Sequence, residues 1–435
     1  MKGKSYHIIT IGCQMNKSDS ERIAAYLENL GFKYSKDQFK ASLVVLTTCA
    51  VRQSAEDRIY GLIPRIKEHN PKAKIILTGC LALRQDVIKR LKKKVDLFIP
   101  VSKIYNLEKW LKGKKILPAT KDQLDCAYLK IKPKYSSRVC AFIPIGNGCN
   151  NFCSYCVVPY ARGREVYRPA KDIIKEVKSL INKGYKEINL IAQNVNSYRD
   201  PKNPSHTFPA LLRAINNIPG DFWIRFSTSH PKDISDELVN TIARGKKICK
   251  HIHLPVQSGD NEILKAMNRR YSIARYRKLI NKAMKACQTP DSLPASLSTD
   301  IIVGFPGETK KQFQNTSKLF KDLKFDLAYI SQYSPRPGTI AAKREDNVPK
   351  SEKKRREEEL MKILRHTALA NNKKYVGRVV KVLVEGKTKK GQFYGKTETY
   401  KVVKFSPTRD KDLTGHFVPV KITKARDFGL DGKIV

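Results

Sequence analysis

Apolar positions in the first hundred residues follow two alternating rhythms. Short β-branched runs, YHIITIGC at 6–13, LVVLTTC at 43–49 and KIILTGC at 74–80, each end on a cysteine and predict strands. Between them a three-and-four spacing predicts helices. SDSERIAAYLENLG has Ser18 or Asp19 as N-cap and Gly31 as stop, and SAEDRIYGLIPRIKEH opens on a Ser54 and Asp57 capping-box pattern. Strands alternating with helices imply a parallel sheet, whose carboxyl ends lie on one edge, where ligands bind. Cys13, Cys49 and Cys80 are therefore expected to converge. Three buried core cysteines are the plain alternative, since free cysteine is among the most buried residue types. The same position repeated on three strands argues against it.

A linker is expected near 112–136, holding Pro118 and Pro133, before a second alternating region. Its predicted strands are 139–145, 187–193, 222–228, 250–256, 293–304 and 327–333. The first helix between them is entered through Pro169 at N1 and closed by Gly184. Six βα units fall short of the roughly 250 residues of a closed eight-unit barrel, which predicts an open barrel with a mouth wide enough for a large substrate. SEKKRREEELMKILRHTALANNKK, from Ser351, reads as a solvated connector more than a core helix. From Gly377 onward, short β runs separated by glycines predict a small β-barrel. The expected fold class is α/β: an N-terminal parallel α/β sandwich over 3–118, a central open, partial βα barrel over 135–366, and a small C-terminal β-barrel over 369–435.

Composition adds a partner. The 435 residues carry 85 Lys plus Arg against 40 Asp plus Glu, a formal net charge of +45, and such a surface suits a polyanion. A hydrophobic fraction of 41% excludes a wholly disordered basic tail. No stretch approaches the roughly 18 apolar residues of a spanning helix, and mean hydropathy is −0.46. The N-terminal run is interrupted by His7 and lacks a small-residue cleavage site, so it reads as a first strand. A cytoplasmic location without membrane contact is expected. Residues 371–435 hold 16 Lys or Arg against 6 acids. With Phe393, Tyr394 and Tyr400 interleaved, that barrel suits RNA, the alternative being a merely soluble basic domain.

The ten cysteines include two patterned groups in a chain with no signal peptide, which favours metal or redox chemistry over disulfides. In GNGCNNFCSYCVVPYARGRE, Cys149, Cys153 and Cys156 follow a C-x3-C-x2-C spacing just after a predicted strand. Structural zinc commonly closes with four protein ligands, and no partner pair lies nearby. Clustered soft thiolates suit an iron–sulfur cluster with one iron left open. An RNA-binding protein using zinc for structure would account for the charge and the β-barrel, but not for the first triplet. Cys126, Cys140, Cys249 and Cys287 match no pattern and read as buried or incidental thiols, and the eight histidines form no ligand spacing. Gln193, Gln257 and Asp300 lie at or near predicted strand carboxyl ends, where catalytic side chains collect. Gly304 and Gly307 of GFPGET are candidate points of close backbone approach to an adenosyl group, the alternative being a plain strand-to-helix turn capped by Thr309. Arg162 and Arg164 could meet RNA phosphate, a cofactor carboxylate or an ordinary acidic partner, and receive no role.

The C-x3-C-x-aromatic-C pattern, with Tyr155 as its aromatic position, resembles the radical S-adenosylmethionine superfamily. GCQMN, TTCAVR, LTGCLA, CNNFCSYCVVPYARG, LIAQNVNSY, HLPVQSG, MNRRY, STDIIVGFPGET and SPRPGT extend the likeness along nearly the whole chain to its methylthiotransferase family. GCQMN is similar to the MiaB type. The resemblance implies a tRNA methylthiotransferase acting on isopentenylated adenosine beside the anticodon. Relatives instead modify threonylcarbamoyl-adenosine or a ribosomal protein. It implies a 4Fe-4S cluster on Cys149, Cys153 and Cys156 that binds S-adenosylmethionine, and a second, auxiliary 4Fe-4S cluster on Cys13, Cys49 and Cys80. One S-adenosylmethionine would give the methyl group and another a 5′-deoxyadenosyl radical. Tyr155, Gln193, Gln257, Asp300, Gly304 and Gly307 become candidate cofactor contacts. The last domain resembles a TRAM domain, with Lys396 and Tyr400 where Arg and Asn are expected. A monomer, an electron donor such as a flavodoxin or ferredoxin, and a sulfur donor complete the expectation.

Overall fold

The computed structural model describes residues 4–116, 126–289, 293–406 and 412–435. Its first strands are β1 (Ser5–Thr10), β2 (Lys33–Tyr34), β3 (Leu43–Thr48), β4 (Lys74–Gly79) and β5 (Leu97–Phe98), in the order β2-β1-β3-β4-β5 and parallel throughout. Every residue of β3 is buried, as a central strand covered on both faces must be. Its side chains alternate between two cores. Val44 and Leu46 pack with Ile59, Ile63 and Ile66 of the helix Gln53–His69, whereas Leu43 and Val45 pack with Ile23 and Leu27 of the helix Gln14–Asn29.

Both helices start earlier than their polar residues predict. Cys13 caps the first, which places Ser18 and Asp19 inside it and buried, and Arg52 caps the second, which places Ser54 and Asp57 in its opening turns. Pro118 lies outside the described residues, as does residue 3. The rest of the expected linker does more than connect: Tyr128, Leu129 and Ile131 fold back into the first core, and the Tyr128 hydroxyl donates to Asp19 Oδ1 at 3.0 Å.

The central region contains β6 (Cys140–Pro144), β7 (Gly146–Asn147), β8 (Val166–Tyr167), β9 (Glu187–Ile191), β10 (Trp223–Phe226), β11 (His251–His253), β12 (Ser296–Val303) and β13 (Leu327–Gln332). Two parallel sheets, β10-β9-β6 and β11-β12-β13, are joined by a parallel bridge between Ile224 and Ile248, which makes an open arc of six strands around one core. β7 and β8 form a short antiparallel ribbon beside the arc. Pro169 is the N-cap of the helix Ala170–Asn182 and so stands one position before N1.

The charged helix, Lys350–Lys373, is no solvated connector. Leu360 and Leu364 are fully buried in the core of the arc, and Arg356 forms a buried ion pair with Glu308 at 2.6 Å. Its charges concealed the apolar stripe because several of them are themselves buried and paired.

β14 (Val379–Lys387), β15 (Phe393–Thr397), β16 (Val402–Ser406), β17 (Phe417–Arg426) and β18 (Gly429–Ile434) close a barrel. The turn between β15 and β16 docks against the amino ends of the central strands. Arg225 Nη2 donates to Thr397 O at 2.7 Å, Ser296 Oγ donates to Thr399 O at 2.5 Å, and Tyr400 stacks on His251 with centroids 4.6 Å apart. This corrects the expected role of the aromatics: Phe393 fills the barrel core and Tyr400 is spent on the domain contact, so of the three only Tyr394 remains for a surface role. Lys396 pairs with Glu385 at 2.7 Å. Among the described residues no helix is long and apolar enough to cross a membrane.

Candidate active site: two cysteine triplets

Cys49 and Cys80 directly follow β3 and β4, and Cys13 follows β1 by three residues. The expected convergence is present: Cys13 and Cys49 both lie within electrostatic reach of Cys80. Two local devices bring them together. Gly79 has φ +83°, and a Cβ there would come 2.5 Å from Thr48 O, so only glycine lets Cys80 lie this close to β3. Asn16, fully buried, donates from Nδ2 to Thr48 O at 2.8 Å and accepts from Cys13 Sγ at 3.2 Å, which straps Cys13 to the residue before Cys49. The GCQMN motif thus builds the site from below. Met15 and Asn16 are buried, and Lys17 lies over the Phe142 ring at 5.3 Å.

The second triplet lies on the loop after β7 and is held by a different method. Gly148, with φ +85°, sits against the backbone of Arg164 with no room for a Cβ, and its N–H donates to Gln193 Oε1 at 2.7 Å. Phe152 adopts the left-handed region at φ 45°, a conformation that needs outside support. Residues 266–269 give that support: Asn268 Nδ2 donates to Phe152 O at 2.9 Å, Ser154 Oγ donates to Ala266 O at 2.8 Å, and Ser154 N donates to Met267 O at 3.0 Å. Tyr155 packs against the apolar cluster of Ile263, Met267 and Phe305. Burial pushes the Cys149 thiol, like that of Cys49, up to about 11.

The second triplet's loop packs against the first domain beside Cys80. Val157 and Ala161, just after Cys156, insert into the first domain's core, and Cys156 lies within electrostatic reach of Cys80. Beside Cys80 stands Arg162, buried, donating from Nε to Cys80 Sγ at 3.3 Å, from Nη1 to Asn147 Oδ1 at 3.2 Å and from Nη2 to Asp19 Oδ2 at 2.7 Å. Burial opposes its charge, but Asp19 and the thiols hold its pKa well above the ordinary value. Arg164 stacks over the Phe152 ring at 4.5 Å.

The other predicted contacts are more dispersed. Gln193 is tied to Gly148, next to Cys149. Gln257, at φ 70°, donates its N–H to Asp300 O at 2.8 Å, and the Asp300 carboxylate faces His253 Nε2 at 3.6 Å. Gly304 lies under the Lys353 side chain and donates to Glu308 Oε2 at 2.6 Å, while Gly307 donates to Asn347 Oδ1 at 2.8 Å. Sequence reasoning missed Asn16, Asp19 and Arg269 and left Arg162 without a role. For Arg162 and Arg269 the available signal was a basic residue within a cysteine-rich or Tyr-flanked motif. Cys249 and Cys287 are buried as expected, whereas Cys140 donates to Glu187 Oε1 at 3.3 Å.

Among the described residues no three His, Cys, Asp or Glu side chains are drawn around one point as a single ion requires. Zinc would gather sulfurs to about 2.3 Å of its centre. A four-iron cluster instead needs soft thiolates that each reach a separate iron, and two all-cysteine triplets with one iron left over apiece fit that donor chemistry.

Residues 5–100 match the uncharacterized protein family UPF0004, residues 143–320 the radical SAM superfamily, and residues 373–435 the TRAM domain. A tRNA-2-methylthio-N(6)-dimethylallyladenosine synthase from Clostridium botulinum is 41% identical over 98% of this chain and 96% of its own length. One from Thermoanaerobacter pseudethanolicus is 41% identical over 100% and 94%. Among solved structures, the radical S-adenosylmethionine methyltransferase TsrM from Kitasatospora setae, with cobalamin and a [4Fe-4S] cluster bound, superposes with a TM-score of 0.57 at 14% identity. It covers 78% of this chain and 77% of that one, a likeness of fold.

Proposed function

The chain belongs to the radical S-adenosylmethionine methylthiotransferase family, and from that premise we propose that it methylthiolates isopentenylated adenosine beside the tRNA anticodon. It is an enzyme of the tRNA methylthiotransferase class, and its cofactors are 4Fe-4S clusters and S-adenosylmethionine. We assign one cluster to Cys149, Cys153 and Cys156 and the other to Cys13, Cys49 and Cys80. The observation that carries this reading is that the segment leaving Cys156 packs on Cys80, with Val157 and Ala161 in the same core and Arg162 donating to Cys80 Sγ at 3.3 Å, because a substrate carbon activated at one site must be within reach of sulfur at the other. Bound there, S-adenosylmethionine would supply a methyl group and a carbon-centred radical, and the cluster on Cys13, Cys49 and Cys80 would hold the sulfur to be transferred.

The chain's own residues position and insulate. Val157 and Ala161 pin the second triplet's loop to the first domain, Tyr155 seals its far side, and residues 266–269 hold its backbone. A reactive radical survives only where water and stray hydrogen donors are kept away. The open arc admits a nucleoside held out of its stack. Exposed Lys421 and Lys433 lie directly opposite each other across β17 and β18, a like-charge pair that costs stability until a phosphate lies over it. A one-electron donor such as a flavodoxin or ferredoxin and a separate sulfur donor complete the reaction, with the chain acting as a monomer.

The test presents the reconstituted enzyme with tRNA bearing either isopentenyl-adenosine or threonylcarbamoyl-adenosine and analyses the nucleosides by mass spectrometry. Methylthio product from the isopentenyl form alone is expected. Turnover confined to the threonylcarbamoyl form would overturn the substrate assignment.

A further inference from the structure

Eight arginines are buried among the described residues: Arg22, Arg84, Arg162, Arg168, Arg225, Arg269, Arg336 and Arg356. Seven have a carboxylate within ion-pair distance. Arg22 and Arg168 use Glu176, Arg84 and Arg336 use Glu56, Arg162 uses Asp19, Arg225 uses Glu187, and Arg356 uses Glu308. Arg269 has no acidic partner among the described residues. Its Nη2 donates to Pro255 O at 2.6 Å, its Nε donates to the Tyr271 hydroxyl at 2.8 Å, and its Nη1 points at Cys153 Sγ, 3.6 Å away. The Tyr271 hydroxyl in turn donates to Val256 O at 2.8 Å, so the guanidinium is held rigidly by neutral groups on every side but one.

A buried guanidinium without a counter-charge is among the most expensive groups a fold can hold, and removing one partner of a buried pair is strongly destabilising. Seven of eight sites avoid that cost with a carboxylate. At the eighth, the only group in contact that can carry negative charge in its working form is the Cys153 sulfur. We propose that Arg269 is a positioning residue whose counter-ion is the thiolate-ligated cluster of the second triplet, and that its hydrogen bond to Cys153 raises that cluster's reduction potential. This rests on the assignment of a 4Fe-4S cluster to Cys149, Cys153 and Cys156.

The sign follows from charge. A cluster that accepts an electron becomes more negative by one, and a fixed cation with a donor on a ligand sulfur stabilises the more negative state. Arg162 touches Cys80 in the same way, but Asp19 already neutralises it. Its influence on the first cluster is correspondingly smaller. The site expected to deliver an electron therefore carries the uncompensated cation.

The experiment uses the full chain, reconstituted, without S-adenosylmethionine, in the Cys13→Ala, Cys49→Ala, Cys80→Ala background so that only the second cluster contributes. Midpoint potentials are read by paramagnetic resonance during redox titration, with iron counted for each variant. Arg269→Gln is expected to lower the midpoint, and Arg269→Lys, which keeps the charge, to restore most of it. If Arg269→Gln holds no iron, Arg269→Met, a neutral side chain of similar length, is read against the charge-keeping Arg269→Lys: a midpoint lower in Arg269→Met sustains the proposal, and equal midpoints overturn it. An unchanged midpoint in iron-loaded Arg269→Gln also overturns it, and weakened S-adenosylmethionine binding by that variant, measured separately, would then assign Arg269 to the cofactor's carboxylate. Absence of iron from the parent itself would sink the cluster assignment instead.

Discussion

The two cysteine triplets hold the same donor set by opposite means. Cys13, Cys49 and Cys80 stand at the ends of neighbouring parallel strands, and their positions follow from sheet register: Thr47 pairs with both Thr10 and Thr78, which aligns the three strand ends. Cys149, Cys153 and Cys156 lie within eight residues on one loop, shaped by a left-handed phenylalanine and held by hydrogen bonds from 266–269. The first site inherits its rigidity from the fold, whereas the second borrows it from distant side chains. Their electrostatics differ in parallel, since Arg162 is balanced by Asp19 and Arg269 is not balanced by any acid among the described residues. On the proposed assignment, a scaffold-borne site would suit a group that must hold sulfur in place, and a loop-borne one a cluster that leaves one iron open.

The largest expected effect comes from removing one site at a time. The triple variant of Cys149, Cys153 and Cys156 to Ala should abolish 5′-deoxyadenosine formation and halve the iron from about eight per chain to about four, one cluster's worth. The triple variant of Cys13, Cys49 and Cys80 should lose the same amount of iron, still form 5′-deoxyadenosine, and yield no methylthio product. Equal cleavage defects in both would erase the division of labour between the sites.

Asp19→Asn probes the balanced arginine. It leaves Arg162 buried without a carboxylate, and breaking such a pair costs about 3–5 kcal/mol. Chemical denaturation should register that loss, and iron should be lost from the first site before the second, because Arg162 touches Cys80. A smaller effect is expected from Gly79→Ala, which forces a positive φ on alanine and presses its Cβ onto Thr48 O. Backbone strain of this kind costs about 1–3 kcal/mol. The comparison is sharpened if Gly307→Ala, at φ +84° but with nothing within 4 Å of the added Cβ, costs less in the same assay.

The first site was far more legible in the sequence than the surroundings of the second. Strand periodicity alone placed Cys13, Cys49 and Cys80 at one edge, because register is a local property repeated three times. Spacing grouped Cys149, Cys153 and Cys156, but the clamp from 266–269 is a contact across more than a hundred residues and leaves no periodic trace. The helix starts were misplaced because Ser18, Asp19 and Ser54 look like caps, yet Asp19 is committed to Arg162 and Tyr128. Likewise Lys353 and Arg356 disguised a packing helix as a solvated one, since their partners Asp346 and Glu308 are contributed by other segments. Charge in a sequence signals solvent until its partner is known.

The smallest predicted effect tests whether the second site's surplus cation is felt by its neighbours. His230, buried four residues after β10, has its ring 5.7 Å from that of Tyr271, and its Nδ1 accepts from the Lys232 N–H at 3.2 Å. Burial first, then Arg269 and Lys232, push its pKa down to about 2 from 6.5. The folded protein therefore refuses a proton that the unfolded chain takes up as pH falls below about 6.5. Its contribution to stability is complete above that pH and declines below it, by up to about 1.4 kcal/mol per pH unit for one group. His251, also pushed well down by burial and then by His253, adds a parallel slope. Denaturation of the full chain between pH 7 and pH 5 should thus show stability falling with acid, and His230→Gln should flatten the curve by at most one proton while leaving the share of His251. Arg269→Gln in the wild type should leave the slope between pH 7 and pH 5 nearly as it is, because burial, the larger cause, still keeps the folded-state His230 unprotonated there. No change in slope from His230→Gln would mean that the histidine takes up a proton in the folded protein as readily as in the unfolded chain, and that neither burial nor the cation beside the second triplet is felt there.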